Sequence, residues 1–367
     1  MKTSKFLSFV FCMISLIVGI TVGFGGYALA NSPQSDLLFS VASGDLSVHF
    51  LELGNKYAGD SIYIKANDKD ILIDAGSRQN SVTAIKSYVD QYCTDGSLEY
   101  VIATHAHQDH IAAFPSTNTR KGIFEEYDCK TIIDFGLATK YERNDASPSN
   151  VYNNYVTYRQ KEIDAGATHI AVSNFNNDDF QKVIDLGSGI TMTILNNIYY
   201  TEKTTNENNY SVCLLISNGA DNILLTGDLE AEGETELVSN NTLPQVTLFK
   251  AAHHGSYTGS TDALLDVVKP QNVVFTCTAG STEYTSINAN TFPAQAAIDR
   301  ISKHTKNCYV TTLCLDYDAG SFESMNGDIM FVFNKEGSKV VCNNNYTLLK
   351  DTEWFKQNRT VPQSWAS

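Results

Sequence analysis

The stretch IATHAHQDHIAAF, residues 102 to 114, sets three of the chain's eight histidines and an aspartate within six positions. His105 and His107 are two apart, a spacing that diverges on a helix and converges on one point only from an extended or looped backbone. The apolar run YVIAT supplies a strand that ends there. Asp109 and His110 then fall where HIAAF can begin a helical turn, so the chain reverses and offers a second pair of donors beside the first. Neutral imidazoles and carboxylates together are what zinc, iron or manganese ask of a site.

Two later stretches carry the same donor types. ILLTGDLE ends an apolar strand in Gly227-Asp228; a carboxylate there can bridge two cations, and the glycine permits the tight turn. LFKAAHHGS ends another in His253-His254-Gly255-Ser256, so five of the eight histidines lie in two short motifs at strand ends. His49, His169 and His304 have no such neighbours and are expected to be structural, with His169 the one alternative ligand among them. Glu230, Glu232, Glu234 and Glu236 open a helix, where acids suit the dipole, and are expected to form a solvated face.

The elements needed to position these motifs read as strands alternating with helices. LSVHFLEL, DSIYIKA and DILIDAG form a meander, followed by the helical SVTAIKSYVDQYC, LEYVIATH and TIID. Residues 136–166, rich in Tyr, Asn and charge, look like an insertion carrying a helix. The second half gives KVIDL, ITMTIL, YSVCLLI, NILLTGD, VTLFKAA, NVVFTC, CYVTTLCL and GDIMFVFN, with helices between them. The fold class is therefore α/β, with two sheets face to face and helices outside. Domain boundaries are expected at 1–30 for a leader, 31–45 for a linker, 46–336 for the folded domain and 337–367 for a peripheral tail.

Composition narrows the setting. Lys2 and Lys5 precede an apolar run from Phe6 to about Gly26 and then Ala28-Leu29-Ala30, the pattern of a signal peptide cut after Ala30, with an uncleaved membrane anchor as the alternative. Either way the folded part is expected to be secreted or at the cell surface. Cleavage takes two of the 26 bases and none of the 41 acids, leaving a net charge of −17. Such a surface repels polyanions, which disfavours nucleic acid as a partner. Seven cysteines remain with no C-x-x-C pair, and Cys213 and Cys277 lie in strand-like runs as small buried hydrophobes.

THAHQDH, LLTGD and AAHHGS, in that order, resemble the metallo-β-lactamase superfamily. VHFLELG, GDSIYIKANDKDILIDAG and the closing CYVTTLCLDYDAGSFESMNGDIMFVF resemble its branch containing the extracellular domain of competence protein ComEC and phosphorylcholine esterase. The resemblance runs from about Leu46 to Asn334 and implies a four-layer αββα sandwich with a two-metal centre, zinc first, with manganese or iron as alternatives. It implies that His105 and His107 hold one cation, Asp109 and His110 the second, that Asp228 bridges them and that His254 completes the second site. Asp109 would also orient the attacking hydroxide. His253 would face the substrate as an acid or phosphate-binding group, with its role and that of His254 open to exchange. One departure stands out: a further histidine is usual before the bridging aspartate, and near ITMTILNNIYY this chain offers Asn196 and Asn197.

The implied activity is metal-dependent hydrolysis, of a phosphodiester by the branch, on a small molecule or a phosphocholine-bearing envelope polymer. A ComEC-like extracellular nuclease is the second enzymatic reading. A non-catalytic binding protein is the third, motivated by the missing histidine and opposed by the retained Asp109 and Asp228.

Overall fold

The computed structural model describes residues 46–139, 142–143, 150–176 and 182–366. The expected leader and linker, 1–30 and 31–45, lie outside the described residues. Sixteen strands among these residues form two eight-stranded mixed sheets. The first contains β1 (Leu46–Phe50), β2 (Ile62–Ala66), β3 (Lys69–Ile73), β4 (Ser97–Ala103), β5 (Asp128–Asp134), β6 (Thr168–Ala171), β15 (Ile329–Asn334) and β16 (Gly337–Cys342), in the order β16-β15-β1-β2-β3-β4-β5-β6. The second contains β7 (Val183–Gly187), β8 (Ile190–Ile194), β9 (Leu214–Ser217), β10 (Asn222–Leu225), β11 (Leu248–Lys250), β12 (Asn272–Ala279), β13 (Cys308–Asp316) and β14 (Ser321–Ser324), in reverse numerical order from β14 to β7.

Period-two alternation explains how the sheets stack. In β1, Leu46, Val48 and Phe50 join Ile216, Leu225 and Val274 of the second sheet in one core cluster between the sheets. Ser47 and His49 point to the opposite face and are equally buried, because a helical layer covers it. That layer includes the helices Ser81–Val89 and Val151–Ala165, whose Ile85, Val89 and Tyr155 pack on Leu72, Val101 and Ile132. On the far side the helices Ala231–Asn240, Asp262–Val268 and Gln295–Ile301 pack Leu237, Leu265 and Ile298 onto Phe249 and Phe275. The result is the αββα sandwich.

The expected peripheral tail is corrected. Residues 337–342 form β16, paired antiparallel along the whole of β15, and Leu349, Phe355 and Trp365 are buried in the outer core of the second sheet. Single large anchors spaced by polar residues leave no periodic trace, so the pattern fades in sequence while the packing continues. The 151–165 helix likewise sits on the core, its Tyr155 ringed by Phe114, Phe124 and Phe135. Among the described residues no helix is long and apolar enough to cross a membrane.

Strands β3 to β6 run parallel, as do β10 to β13. Their carboxyl ends meet at one edge of the sandwich, where open α/β sheets place ligands. There Val212 N donates to Thr104 O at 2.9 Å and ties the two sheets together.

Candidate metal centre

β4 ends at Ala103, and His107 caps the one-turn helix Gln108–Ile111 with an extended backbone, φ −63° and ψ 146°. The extended geometry brings His105 Nε2 to 3.1 Å from His107 Nδ1. One turn later Asp109 and His110 face the same cavity. Gly59 makes room for this reversal: a Cβ there would stand 2.7 Å from the Asp109 carbonyl oxygen, and the next residue, Asp60, donates its N–H to that oxygen at 3.1 Å.

Asp228 arrives from the end of β10 through Gly227, whose φ is +54° and whose Cβ position lies 2.9 Å from Ser211 Oγ and 3.1 Å from Thr104 Cβ. After β11 the chain turns through His253 (φ 48°, ψ 52°) and His254 (φ 54°, ψ 15°). Two successive left-handed residues that are not glycine cost about 1–2 kcal/mol each, a strain that functional sites characteristically store. The turn sends the adjacent imidazoles to different places. His254 is fully buried, its Nδ1–H donates to Thr276 O at 2.9 Å, and its Nε2 stands 3.1 Å from Asp228 Oδ2 and 3.4 Å from Asp109 Oδ2. His253 keeps Nδ1 at 3.1 Å from Glu230 Oε1 and its Nε2 at 4.0 Å from Asp228 Oδ2.

The donor chemistry fits a divalent cation. Asp109, His110, Asp228 and His254 each offer one atom within 4.8 Å of all the others. His110 Nε2, His254 Nε2 and Asp228 Oδ2 are buried without a hydrogen-bond partner, although His110 Nε2 lies only 3.0 Å from Asp228 Oδ2. Unpartnered buried polar atoms are costly unless something supplies the missing contact. Both imidazoles are committed on the other side, His254 to Thr276 O and His110 Nδ1 to Asp74 Oδ2 at 2.6 Å, the arrangement that orients metal-ligating histidines. Burial pulls His110 and His254 down, but the surrounding carboxylates, Asp228 foremost, outweigh it and hold both well above the usual imidazole range. Burial, then His110 and His107, push His105 well below that range.

Residues 54–116 match the family model described as Metallo-beta-lactamase superfamily. Over this stretch the chain is similar to that superfamily. Over 67 residues it is 36% identical to Recombination protein 2 of Haemophilus influenzae, and over 105 residues it is 33% identical to Competence protein ComA of Neisseria gonorrhoeae. These matches take in 18% and 28% of this chain but only 8% and 14% of the relatives' own lengths. They bear out the resemblance to the competence-protein branch. Among solved structures it is similar to the metallo-beta-lactamase fold protein YhfI from Bacillus subtilis, with a TM-score of 0.39 and 13% identity over 72% of this chain and 95% of that one.

The structure brings Asp109, His110, Asp228 and His254 into one cluster, sets the His105 ring 4.2 Å from that of His110 with His107 beside it, and leaves His253 at the edge, 4.0 Å from Asp228. The stand-ins for the missing histidine are elsewhere: Asn197 donates to Asn209 O and Ser211 O, and Asn196 accepts from Lys182 Nζ. His169 binds Asp134 at 2.8 Å, and His49 bonds Tyr88 and Ser47. The solvated glutamate face is corrected. Glu234 is fully buried and accepts from Ser260 N, Thr261 N and Thr261 Oγ1, and Glu230 reaches into the centre. Of the four glutamates only Glu232 is exposed, with Glu236 half-buried.

Four further residues shape the site. Asp74 accepts from Thr104 as well as His110; Asp60 lies 3.2 Å from His254 Nδ1. Lys250 is completely buried, with Nζ at 2.5 Å from Asp60 Oδ2, 3.0 Å from Gly227 O and 3.1 Å from Asp228 Oδ1. Tyr284 donates its hydroxyl to Asp109 Oδ2 at 2.9 Å. The sequence did carry signals for three of these: Asp74 closes an apolar strand as Asp228 does, Asp60 follows a glycine, and Lys250 interrupts an apolar run. Tyr284 lies in a polar loop and carries no comparable mark.

Proposed function

We propose that this chain is a metal-dependent hydrolase that cleaves phosphodiesters outside the cytoplasm. The observation that carries the reading is the convergence of unpartnered His110 Nε2, His254 Nε2 and Asp228 Oδ2 on the Asp109 carboxylate. Asp109, His110, Asp228 and His254 would hold one divalent cation, and His105 with His107 would hold a second. Zinc is the first choice for this donor set, with manganese or iron next. Such cations supply a hydroxide near neutral pH and polarise the oxygen under attack.

The chain's own groups do the rest. Lys250 occupies Asp228 Oδ1 and leaves Oδ2 as that carboxylate's free donor. Asp109, held by Tyr284, lies where it can orient the nucleophile. Glu230 fixes the ring of His253, itself braced by Asn206, Asn208 and Thr258, so that Nε2 faces the cavity and can give a proton to the departing oxygen. The Lys2, Lys5 and Ala28-Leu29-Ala30 pattern supports export; amino-terminal sequencing of the secreted protein should begin at Asn31.

Hydrolysis of bis(p-nitrophenyl) phosphate, p-nitrophenyl phosphorylcholine and plasmid DNA in parallel, with metal content measured on the same sample, tests the reading. Turnover of the first or second with bound metal supports it. The likeness to a recombination protein and a competence protein keeps a nuclease as the second reading, and cleavage of DNA alone would select it. A protein that binds no metal and turns over nothing after zinc or manganese is added would be the binding module instead.

A further inference from the structure

Beside the centre, on the His107 side, lies a cleft of about 780 Å³ lined by residues 136–139, Arg143, Tyr152, residues 203–205 and Tyr210. Its near wall is bonded to the metal motif: Glu207 accepts from Ala106 N, between the two histidines, at 3.1 Å and from Thr139 N at 2.6 Å. Glu207 thus links Thr139 in the cleft wall to Ala106, the residue between His105 and His107.

Its charge is opposite to that of the molecule. Acids outnumber bases 41 to 26 over the chain, yet among the described residues the two charged side chains of the lining, Arg143 and Lys203, are both cations. Neither forms an ion pair with a described residue, and both are exposed at the rim. The nearby carboxylates are turned elsewhere. Both oxygens of Glu207 are taken by backbone N–H groups, Glu142 faces His107 Nε2 at 3.8 Å, and Glu202 lines a separate depression with Lys182 and Asn196. The Tyr210 hydroxyl is spent on Thr204 O, so Tyr152 and the threonines form a neutral floor between the cations. An isolated positive patch on an acidic protein concentrates anions locally.

We propose that this cleft is a subsite for a second phosphate group of the substrate, held by Arg143 and Lys203 while the scissile diester sits at the metal centre. The assignment rests on the phosphodiesterase reading and adds a substrate class: molecules with two phosphates separated by a short neutral spacer. A terminal phosphomonoester and the next diester of a polymer present the same chemistry there.

The test compares the p-nitrophenyl phosphodiester of propane-1,3-diol with and without a phosphate on its other hydroxyl. The wild-type protein should show a lower KM for the doubly phosphorylated probe. Arg143→Ala and Lys203→Ala should each raise that KM by about fivefold, the scale of an exposed charge pair, with kcat and the KM of the singly phosphorylated probe within about twofold. Equal KM values for the two probes, or no response to either substitution, would overturn the subsite. Calorimetric titration of propane-1,3-diol bisphosphate into the metal-loaded protein gives a second readout. If no probe turns over, binding that weakens in both variants keeps the subsite while the hydrolase reading fails; binding that does not weaken removes the subsite as well. A probe whose second phosphate is methylated separates the sources: binding equal to the parent points to a polymer, and weaker binding to a free phosphate end.

Discussion

Of the described residues, Lys250 supplies the one fixed positive charge among the carboxylates of the centre. Its ammonium is buried against Asp60 and Asp228, while His110 holds Asp74 and His254 stands beside Asp109, so four carboxylates share one fixed positive charge and two histidines. Removing one partner of a buried ion pair typically costs about 3–5 kcal/mol, because the remaining charge is left unpaired. Lys250→Met should therefore lose about that much stability in metal-free protein by urea denaturation. Loaded with zinc or manganese it should lose less, since the cation neutralises the same carboxylates; an equal loss in both states would mean that Lys250 acts on packing alone. The neighbouring histidines separate by a different measurement. His254→Ala removes a donor from the four-atom cluster and should abolish the tighter metal equivalent in elemental analysis. Glu230→Gln leaves every donor in place, so it should retain metal and lower kcat by about 100-fold, the lower end of general acid–base catalysis; loss of metal in that variant would move His253 from acid to ligand.

At the scale of elements, the centre depends on three strand exits that the backbone can make only with small residues or with strain. Gly227 is the plainest case, since its φ of +54° and its contacts with Ser211 and Thr104 both exclude a side chain. Gly227→Ala should destabilise the fold by about 1–3 kcal/mol and weaken metal binding by displacing Asp228, both readable from thermal melts with and without metal. These exits were legible in sequence to different depths. The H-x-H spacing after an apolar strand required an extended exit and a following turn, and β4 with its one-turn helix has that form. Short apolar, β-branched runs gave most strands of both sheets, because strands such as β1, β11 and β12 are buried on both faces. What stayed hidden was whatever long-range packing alone decides. Glu234 reads as a solvated helix acid until Ser260 and Thr261 are folded over it. Residues 337–365 read as a tail because β16 gains its meaning from β15, and Phe355 and Trp365 theirs from the second sheet's outer face.

Across the whole molecule, the four layers bury β1 on both faces, and His49 records the consequence. It sits in β1 on the face turned to the helical layer, bonded to Tyr88 and Ser47 and edged by Tyr63 and Tyr92. Burial depresses its imidazole from 6.5 to about 3, so the folded protein keeps the ring neutral through mild acid. In the unfolded chain the same ring takes up a proton as the pH falls through about 6.5. The unfolded state then binds more protons than the folded one, and stability must drop as pH decreases between about 6.5 and 3, by at most about 1.4 kcal/mol per pH unit from this group. Above pH 7 the term vanishes. The raised carboxylates, such as Asp328 at about 7, act in the opposite sense, because they favour the folded state below their unfolded values and lose that advantage as the pH rises. A single pH–stability curve would mix the two. Comparing the wild type with His49→Gln, which retains hydrogen-bonding capacity without a titrating ring, cancels the shared groups. The stability difference between the two chains should be flat from pH 8 to 7 and then shrink steadily toward pH 4 in urea titrations. A difference that stays constant over that range would mean that His49 takes up its proton inside the folded sandwich, and that the outer helical layer admits water to the sheet it covers.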